Sequence, residues 1–195
     1  MEKDAISITF GPDGSFVSSS GIRIYYSKEL QAAGDALDQA KRIVGKKTKG
    51  SANARRAEQE VEKCQKAFDA ELSGFALNAV NEFTSNVSCV YVEKLSEKKL
   101  SAIVLAQKEK WQKKYFDELV SEFSNTLTSF CNSNGIKLIC VPSDDNPLTV
   151  CSSCEYVEKN KITKKNWTCP LCNTRHDLAV NYAKLLLKEG RQYVR

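Results

Sequence analysis

The sequence predicts an α/β domain: a mixed sheet, a long helical hairpin and a small inserted module built on four cysteines. Three observations carry this. Short β-branched runs alternate with long stretches of helical apolar periodicity. The strands come first as a run of three and then singly between helices. Near the C-terminus, Cys151-Ser-Ser-Cys154 and Cys169-Pro-Leu-Cys172 stand fourteen residues apart, Glu155 to Thr168.

Ala5 to Phe10 alternates loosely and is β-branched, a strand pattern. Gly11-Pro12-Asp13-Gly14 is a turn, Phe16 to Ser18 a second strand ended by Ser20-Gly21, and Ile22 to Tyr26 a third, which makes a β-meander. Lys28 to Val44 carries Leu30, Ala33, Leu37, Ala40 and Val44 at helical spacing. After a basic break, Gly45 to Ser51, Ala52 to Phe83 carries Val61, Cys64, Phe68, Phe75, Ala79 and Phe83. Core packing explains both stripes. Ser88 to Val92 is apolar on both faces, as a central strand is, and runs into Glu93. Lys98 to Asn132 reads as mostly helical, with Trp111, Tyr115, Leu119, Phe123, Leu127 and Phe130 on one side and a stop at Asn134-Gly135. Ile136 to Val141 is a last strand, Pro142 to Pro147 leads into the cysteine module, and Asp177 to Glu189 is a final helix. This order is the connectivity of a ribonuclease-H-like α/β domain, covering 1–147 and 174–195 with a helical hairpin at 28–85; the module occupies 148–173.

Two C-x-x-C pairs at this distance can converge four thiolates, Cys151, Cys154, Cys169 and Cys172, on one zinc tetrahedron. The competing reading is two disulfides in a secreted domain. The start, Met1-Glu2-Lys3-Asp4, is no signal n-region, and no apolar run, such as Ala102 to Ala106, approaches membrane-spanning length. The expected compartment is therefore the cytoplasm, in association with the nucleoid, and the expected bridge is zinc. Trp167 is expected to cover the site; His176, the only histidine, reads as a helix-start residue and not a ligand. Cys64, Cys89, Cys131 and Cys140 sit among apolar neighbours and read as buried free thiols.

With 195 residues, 42% hydrophobic and 27% charged, the chain suits one domain with an insert, and its net charge of +5 is mildly basic. The charge is uneven. Lys41, Arg42, Lys46, Lys47, Lys49, Arg55 and Arg56 follow one another without an intervening carboxylate. A solvated hairpin tip and a phosphate-contacting face explain this equally well. Lys159, Lys161, Lys164 and Lys165 add a second basic stretch in the module's loop.

Four stretches resemble the C-terminal half of TnpB, the RNA-guided nuclease of insertion sequences, and its relatives the type V CRISPR effectors. Lys49-Gly50-Ser51-Ala52-Asn53-Ala54-Arg55-Arg56-Ala57 is similar to a basic segment of that family. Val90-Tyr91-Val92-Glu93-Lys94-Leu95 resembles the second RuvC motif, a strand ending in glutamate. Gly135 to Cys154 resembles the final core strand and first zinc knuckle, and Trp167 to Cys172 with His176-Asp177 resembles the second knuckle and third RuvC motif. The resemblance spans nearly the whole chain. It implies a ribonuclease-H-like RuvC domain with an inserted zinc ribbon, and DNA and guide RNA as partners.

It also implies three acids around paired divalent metals, which activate water and stabilise the leaving oxygen of a phosphodiester. Here two of the three are missing. The first motif, Ile-Asp-Leu-Gly in the family, appears as Ile8-Thr9-Phe10-Gly11, so Thr9 stands at the aspartate. Glu93 remains. The last motif, Asp-Arg-Asp-x-Asn-Ala-Ala, appears as Asp177-Leu178-Ala179-Val180-Asn181-Tyr182-Ala183, so Ala179 stands at the second aspartate. One carboxylate cannot hold two Mg²⁺ against hydration, so magnesium is not expected to bind productively. Rescue by Asp4, Asp13 or Asp177 is conceivable, but Asp177 sits roughly 200° away around the helix and Asp4 on the order of 16 Å along the strand from Thr9, so neither of these two substitutes without remodelling.

The family places recognition domains before RuvC, whereas only eight residues precede Thr9. The chain is thus expected to be a fragment, or a reduced protein needing a partner such as an N-terminal recognition half. The expectation is a nuclease-dead, TnpB-like nucleic-acid-binding protein acting in RNA-guided DNA binding or regulation. The alternatives are an active RuvC-type endonuclease with rearranged ligands, and a protein–protein adaptor.

Overall fold

The computed structural model describes residues 5–11, 13–96, 100–101, 103–104, 110–142, 150–159 and 165–194. Its elements are β1 Ala5–Phe10, β2 Phe16–Ser18, β3 Arg23–Ile24, α1 Lys28–Val44, α2 Ala52–Thr84, β4 Cys89–Lys94, α3 Lys110–Asn134, β5 Lys137–Pro142, β6 Asn166–Thr168, β7 Arg175–Asp177 and α4 Leu178–Gly190, followed by a 3-10 turn at Arg191–Val194.

The chain divides into two compact units. The first, residues 1–25, 81–107 and 128–195, holds the sheet, the cysteine module and α4. The sheet has five strands in the order β3-β2-β1-β4-β5. β1 pairs antiparallel with β2 and β2 with β3, while β4 lies parallel to both β1 and β5. The sheet is therefore mixed, and β4 sits inside it, as its two apolar faces required. The third strand is shorter than the sequence pattern, because only Arg23 and Ile24 find partners on Val17 and Phe16.

Helix α4 packs on β1, β2, β4 and β5. Ser7 and Thr9 share one face of β1, since alternate residues point the same way. The Ser7 hydroxyl donates to the Ala183 carbonyl, so this is the face that α4 covers. On β4 the same face carries Tyr91 and Glu93, and buried Tyr91 clusters with Cys89, Val141 and Leu186. Gly190 permits the approach: a Cβ there would stand 2.3 Å from Tyr91 Cδ1. Helix α4 starts one residue later than its sequence pattern because Asp177 is its N-cap, accepting from the backbone N–H of Ala179 and Val180.

The second unit, residues 26–80 and 108–127, joins α1 to most of α2 and the first part of α3. Phe68 of α2 meets Tyr115 of α3 at 4.8 Å between ring centroids, and Ser73 donates to Glu122. Ser27 caps α1 and Ser51 caps α2, each accepting from the N–H three residues on. The front of the predicted Lys98–Asn132 helix falls partly outside the described residues, as does the Trp111 side chain. Gly135, at φ +66°, ends α3 where the Asn134-Gly135 signal predicted. Two of the four scattered cysteines depart from expectation: Cys89 and Cys131 are buried, but Cys140 is exposed and Cys64 only half-buried. Cys140 lies on the edge strand β5, where an apolar neighbourhood in sequence does not guarantee cover.

Candidate metal centre and nucleic-acid interface

The four cysteines converge. Their sulfurs lie within 4.8 Å of one another, with Cys151–Cys172 at 3.7 Å and Cys154–Cys169 at 3.6 Å. Sulfurs about 2.3 Å from a central zinc in a tetrahedron would be about 3.8 Å apart, so the short edges fit, whereas all four thiols are free. The two knuckles are built alike. Glu155 N–H bonds to the Cys151 carbonyl and Asn173 N–H to the Cys169 carbonyl, both at 2.9 Å. The residue after each second cysteine, Glu155 or Asn173, takes a positive φ to close the turn.

The thiols differ in acidity. The Thr174 hydroxyl and N–H pull Cys172 down to about 6. The Tyr156 N–H pulls Cys154 down, but burial and the other three cysteines prevail and push it up to about 12. Four thiolates this close would repel one another, and a cation bound among them relieves that repulsion. Among the described residues this is the only group of three or more potential ligands close enough to hold a metal ion.

His176 is not a helix-start residue. It is the middle of β7, pairs with Trp167 across the β6–β7 ladder, is buried, and sets Nε2 3.1 Å from Cys151 Sγ. Burial, with the Lys184 charge adding to it, holds its imidazole below the ordinary value. A neutral ring can donate Nε2–H to a metal-bound sulfur. Trp167 stacks on His176 at 5.5 Å, so its link to the cysteine cluster runs through the histidine.

Asn181 fastens the module to α4. This buried side chain accepts from Ser152 N–H at 2.9 Å and donates to the Val150 carbonyl at 2.7 Å. Both partners flank Cys151, so the first knuckle is tied directly to the helix that also covers the sheet.

The acid positions lie on the face of the sheet beneath that helix. The β1–β4 register sets Ile8 opposite Val92, which brings Thr9 level with Glu93. Thr9 Oγ1 donates to Glu93 Oε2 at 2.5 Å, and Tyr182 Oη donates to Glu93 Oε1 at 2.6 Å. All three residues are buried, as is Ala179. The remaining glutamate is therefore held by one neutral hydroxyl on each oxygen. Among the described residues, one carboxylate, two hydroxyls and a methyl group do not fit a pair of divalent ions, which require several carboxylates.

Two of the conceivable substitutes, Asp177 and Asp13, are engaged elsewhere. Asp177 Oδ1 caps α4 and pairs with Arg23 at 2.7 Å. Asp13 meets Arg23 at 3.3 Å and Lys165 at 3.9 Å. Burial pushes the Asp13 carboxyl up, but hydrogen bonds from Ser15 and the charges of Arg23 and Lys165 hold it below its usual value. Asp4 lies outside the described residues.

The basic positions belong to the second unit. Lys46, Lys47 and Lys49 occupy the α1–α2 turn, and Arg55 and Arg56 the first turn of α2; all five are exposed. Arg42 pairs with Asp38, and Lys41 lies 5.2 Å over the Tyr115 ring, so these two also serve the helical packing. No acid stands in the first turn of α2. Cations at a helix N-terminus oppose its dipole, and the turn accordingly offers an unopposed positive field to an outside anion. In the first unit Lys159 is exposed, Lys165 reaches toward Asp13, and Lys161 and Lys164 lie outside the described residues.

Known proteins resemble this chain over nearly its whole length. No family model matches the chain. A protein of Streptomyces pristinaespiralis named as an RNA-guided DNA endonuclease is 25% identical over 187 residues, which cover 95% of this chain and 45% of that protein. The solved structure of the mini-RNA-guided endonuclease CRISPR-Cas phi3 matches with a TM-score of 0.52 at 10% identity, over 95% of this chain and 44% of that one. The chain is thus similar to two proteins named as RNA-guided endonucleases, and it shares the fold of the second over nearly its whole length. It spans about half the length of each of these two proteins. Among the described residues no helix is long and apolar enough to cross a membrane.

Proposed function

We propose that this chain is a nuclease-inactive, TnpB-like nucleic-acid-binding protein or subunit that takes part in RNA-guided DNA binding or regulation without cleavage. In this reading residues 1–147 and 174–195 are a ribonuclease-H-like RuvC domain with its hairpin at 28–85. Residues 148–173 are a ribbon in which Cys151, Cys154, Cys169 and Cys172 hold a structural zinc. The partners are DNA and guide RNA, with the cation turn from Lys41 to Arg56 and the ribbon lysines Lys159, Lys161, Lys164 and Lys165 contacting phosphate.

The observation that carries the reading is the state of Glu93. Its two oxygens are bonded to Thr9 and Tyr182, and the third acid position is Ala179. The kinship is with RNA-guided endonucleases, so the reading keeps their nucleic-acid binding and removes the chemistry. Loss of two carboxylates also removes repulsion toward a phosphate backbone.

The test is the salt dependence of nucleic-acid binding. With about four phosphates neutralised, log affinity falls against log salt with a slope of roughly −3 to −4. Replacing Lys46, Lys47, Lys49, Arg55 and Arg56 together by alanine weakens binding to all sequences alike and flattens that slope. An affinity that is flat in salt, or unchanged by the replacement, would favour a protein–protein adaptor.

A further inference from the structure

We infer that Tyr182 is the occluding residue of the remnant acid site: its ring fills the space of the missing aspartate and its hydroxyl occupies the Glu93 oxygen that a cation would need. The inference rests on the inactive reading above and goes beyond it, because it says that restoring the lost acids does not by itself restore a metal site.

Tyr182 follows Ala179 by three residues, so the two share a face of α4. A long helical side chain leans toward the helix N-terminus and lies over the preceding turn, so the Tyr182 ring covers the patch in front of Ala179. Both residues are buried, at 3% and 5% exposure, and Glu93 is at 4%. The phenol thus stands where a carboxylate from position 179 would have to project. Its Oη, 2.6 Å from Glu93 Oε1, takes one oxygen, while Thr9 takes the other. Nor can a shift of α4 carry the ring aside, because the helix is anchored at both neighbours of Tyr182: Asn181 holds Val150 and Ser152, and the Ala183 carbonyl holds Ser7. An aspartate placed at 179 would therefore meet an aromatic ring in a buried setting, with Ala179 at 5% and Glu93 at 4% exposure.

The test is Mn²⁺ binding to the purified, zinc-loaded chain without nucleic acid, read by the loss of the free-ion electron paramagnetic resonance signal. The expected result is no Glu93-dependent site in the Thr9→Asp/Ala179→Asp variant. Adding Tyr182→Ala creates a saturable site, and a further Glu93→Gln removes it. Thr9→Asp/Ala179→Asp/Tyr182→Phe stays without a site, because the ring remains. Circular dichroism and one zinc per chain verify folding. Should the alanine variant fail these checks, Tyr182→Ser, small and polar, takes its place. A Mn²⁺ site in the double variant or in the phenylalanine variant would overturn the role of Tyr182, as would a folded small-residue variant that gains no site. A Glu93-dependent Mn²⁺ site in the unmodified chain would instead count against the inactive reading itself, so the two failures are distinguishable.

Discussion

The cysteine cluster and the acid site lie in one unit and share one helix, yet their polar groups are satisfied in opposite ways. The four thiols have mainly one another, with His176 at Cys151 and Thr174 at Cys172. Sulfurs this close become a favourable arrangement only around a cation. The carboxylate of Glu93, in contrast, is already satisfied by Thr9 and Tyr182. A buried polar group with its hydrogen bonds made has no need of a metal, and two neutral donors cost nothing in mutual repulsion. The lesson is that the fate of a metal site is written in what surrounds its ligands. Clustered thiols call for an ion, whereas a carboxylate already bonded to hydroxyls does not.

The largest expected effect comes from breaking the cluster. Cys169→Ser removes one of four ligands, and elemental analysis of the purified protein should fall from one zinc per chain toward none. Structural zinc contributes on the order of 10 kcal/mol to folding in small modules, so protease cleavage within the ribbon is the accompanying readout. Zinc retained at full stoichiometry would contradict the tetrahedral assignment.

Next in size is the acid site treated as a structural element. Tyr182→Phe leaves Glu93 Oε1 without the phenol donor and should cost about 1–3 kcal/mol in denaturant unfolding, the range for a buried group that loses its partner. Zinc content should not change. Were Glu93 instead poised for metal, removing the hydroxyl would raise divalent-cation affinity with little loss of stability.

Asn181→Ala tests whether the two regions are mechanically joined. It deletes two hydrogen bonds to the first knuckle and should cost about 2 kcal/mol. Hydrogen exchange should quicken around Val150 to Cys154 while zinc remains bound. Unchanged protection there would mean that the zinc alone positions the ribbon.

Much of this contrast was legible in the sequence, because it depends on local spacing. The C-x-x-C pairs are self-contained turns, and Thr9, Glu93 and Ala179 stand at fixed offsets inside recognisable motifs. The order of strands and helices followed from periodicity, including the interior place of β4. What escaped is tertiary. His176 reads as a helix start because Asp177, its neighbour, is an excellent cap; its strand forms only because the second knuckle folds back, with Cys169 N–H on the Thr174 carbonyl and Leu178 N–H on the Lys165 carbonyl. Tyr182 enters the sequence reading only as a position in the last motif, because its bond to Glu93 spans 89 positions. Asn181 was visible as part of a motif, but its partners, Val150 and Ser152, are backbone atoms that no sequence pattern marks. The exposure of Cys140 likewise depends on β5 lying at the sheet edge.

The smallest expected effect is in the helical unit and calibrates the others. Asp38 is held below the ordinary carboxyl value chiefly by its hydrogen bond from Lys114, against burial, with Arg42 assisting. A lowered folded-state value means that its contribution is complete above the unfolded value of about 3.8 and fades as pH falls below it. Asp38→Asn should cost under about 1 kcal/mol at neutral pH, and the difference from wild type should shrink in acid. A larger cost would show that this pair orders the basic turn.

The central claim is that nucleic-acid binding survives here without cleavage, and the most direct measurement is a cleavage assay on DNA and RNA with Mg²⁺ or Mn²⁺, comparing the unmodified chain with Glu93→Ala. The account predicts that both bind nucleic acid and that neither cuts above background. Metal-dependent cleavage by the unmodified chain, abolished by Glu93→Ala, would contradict it.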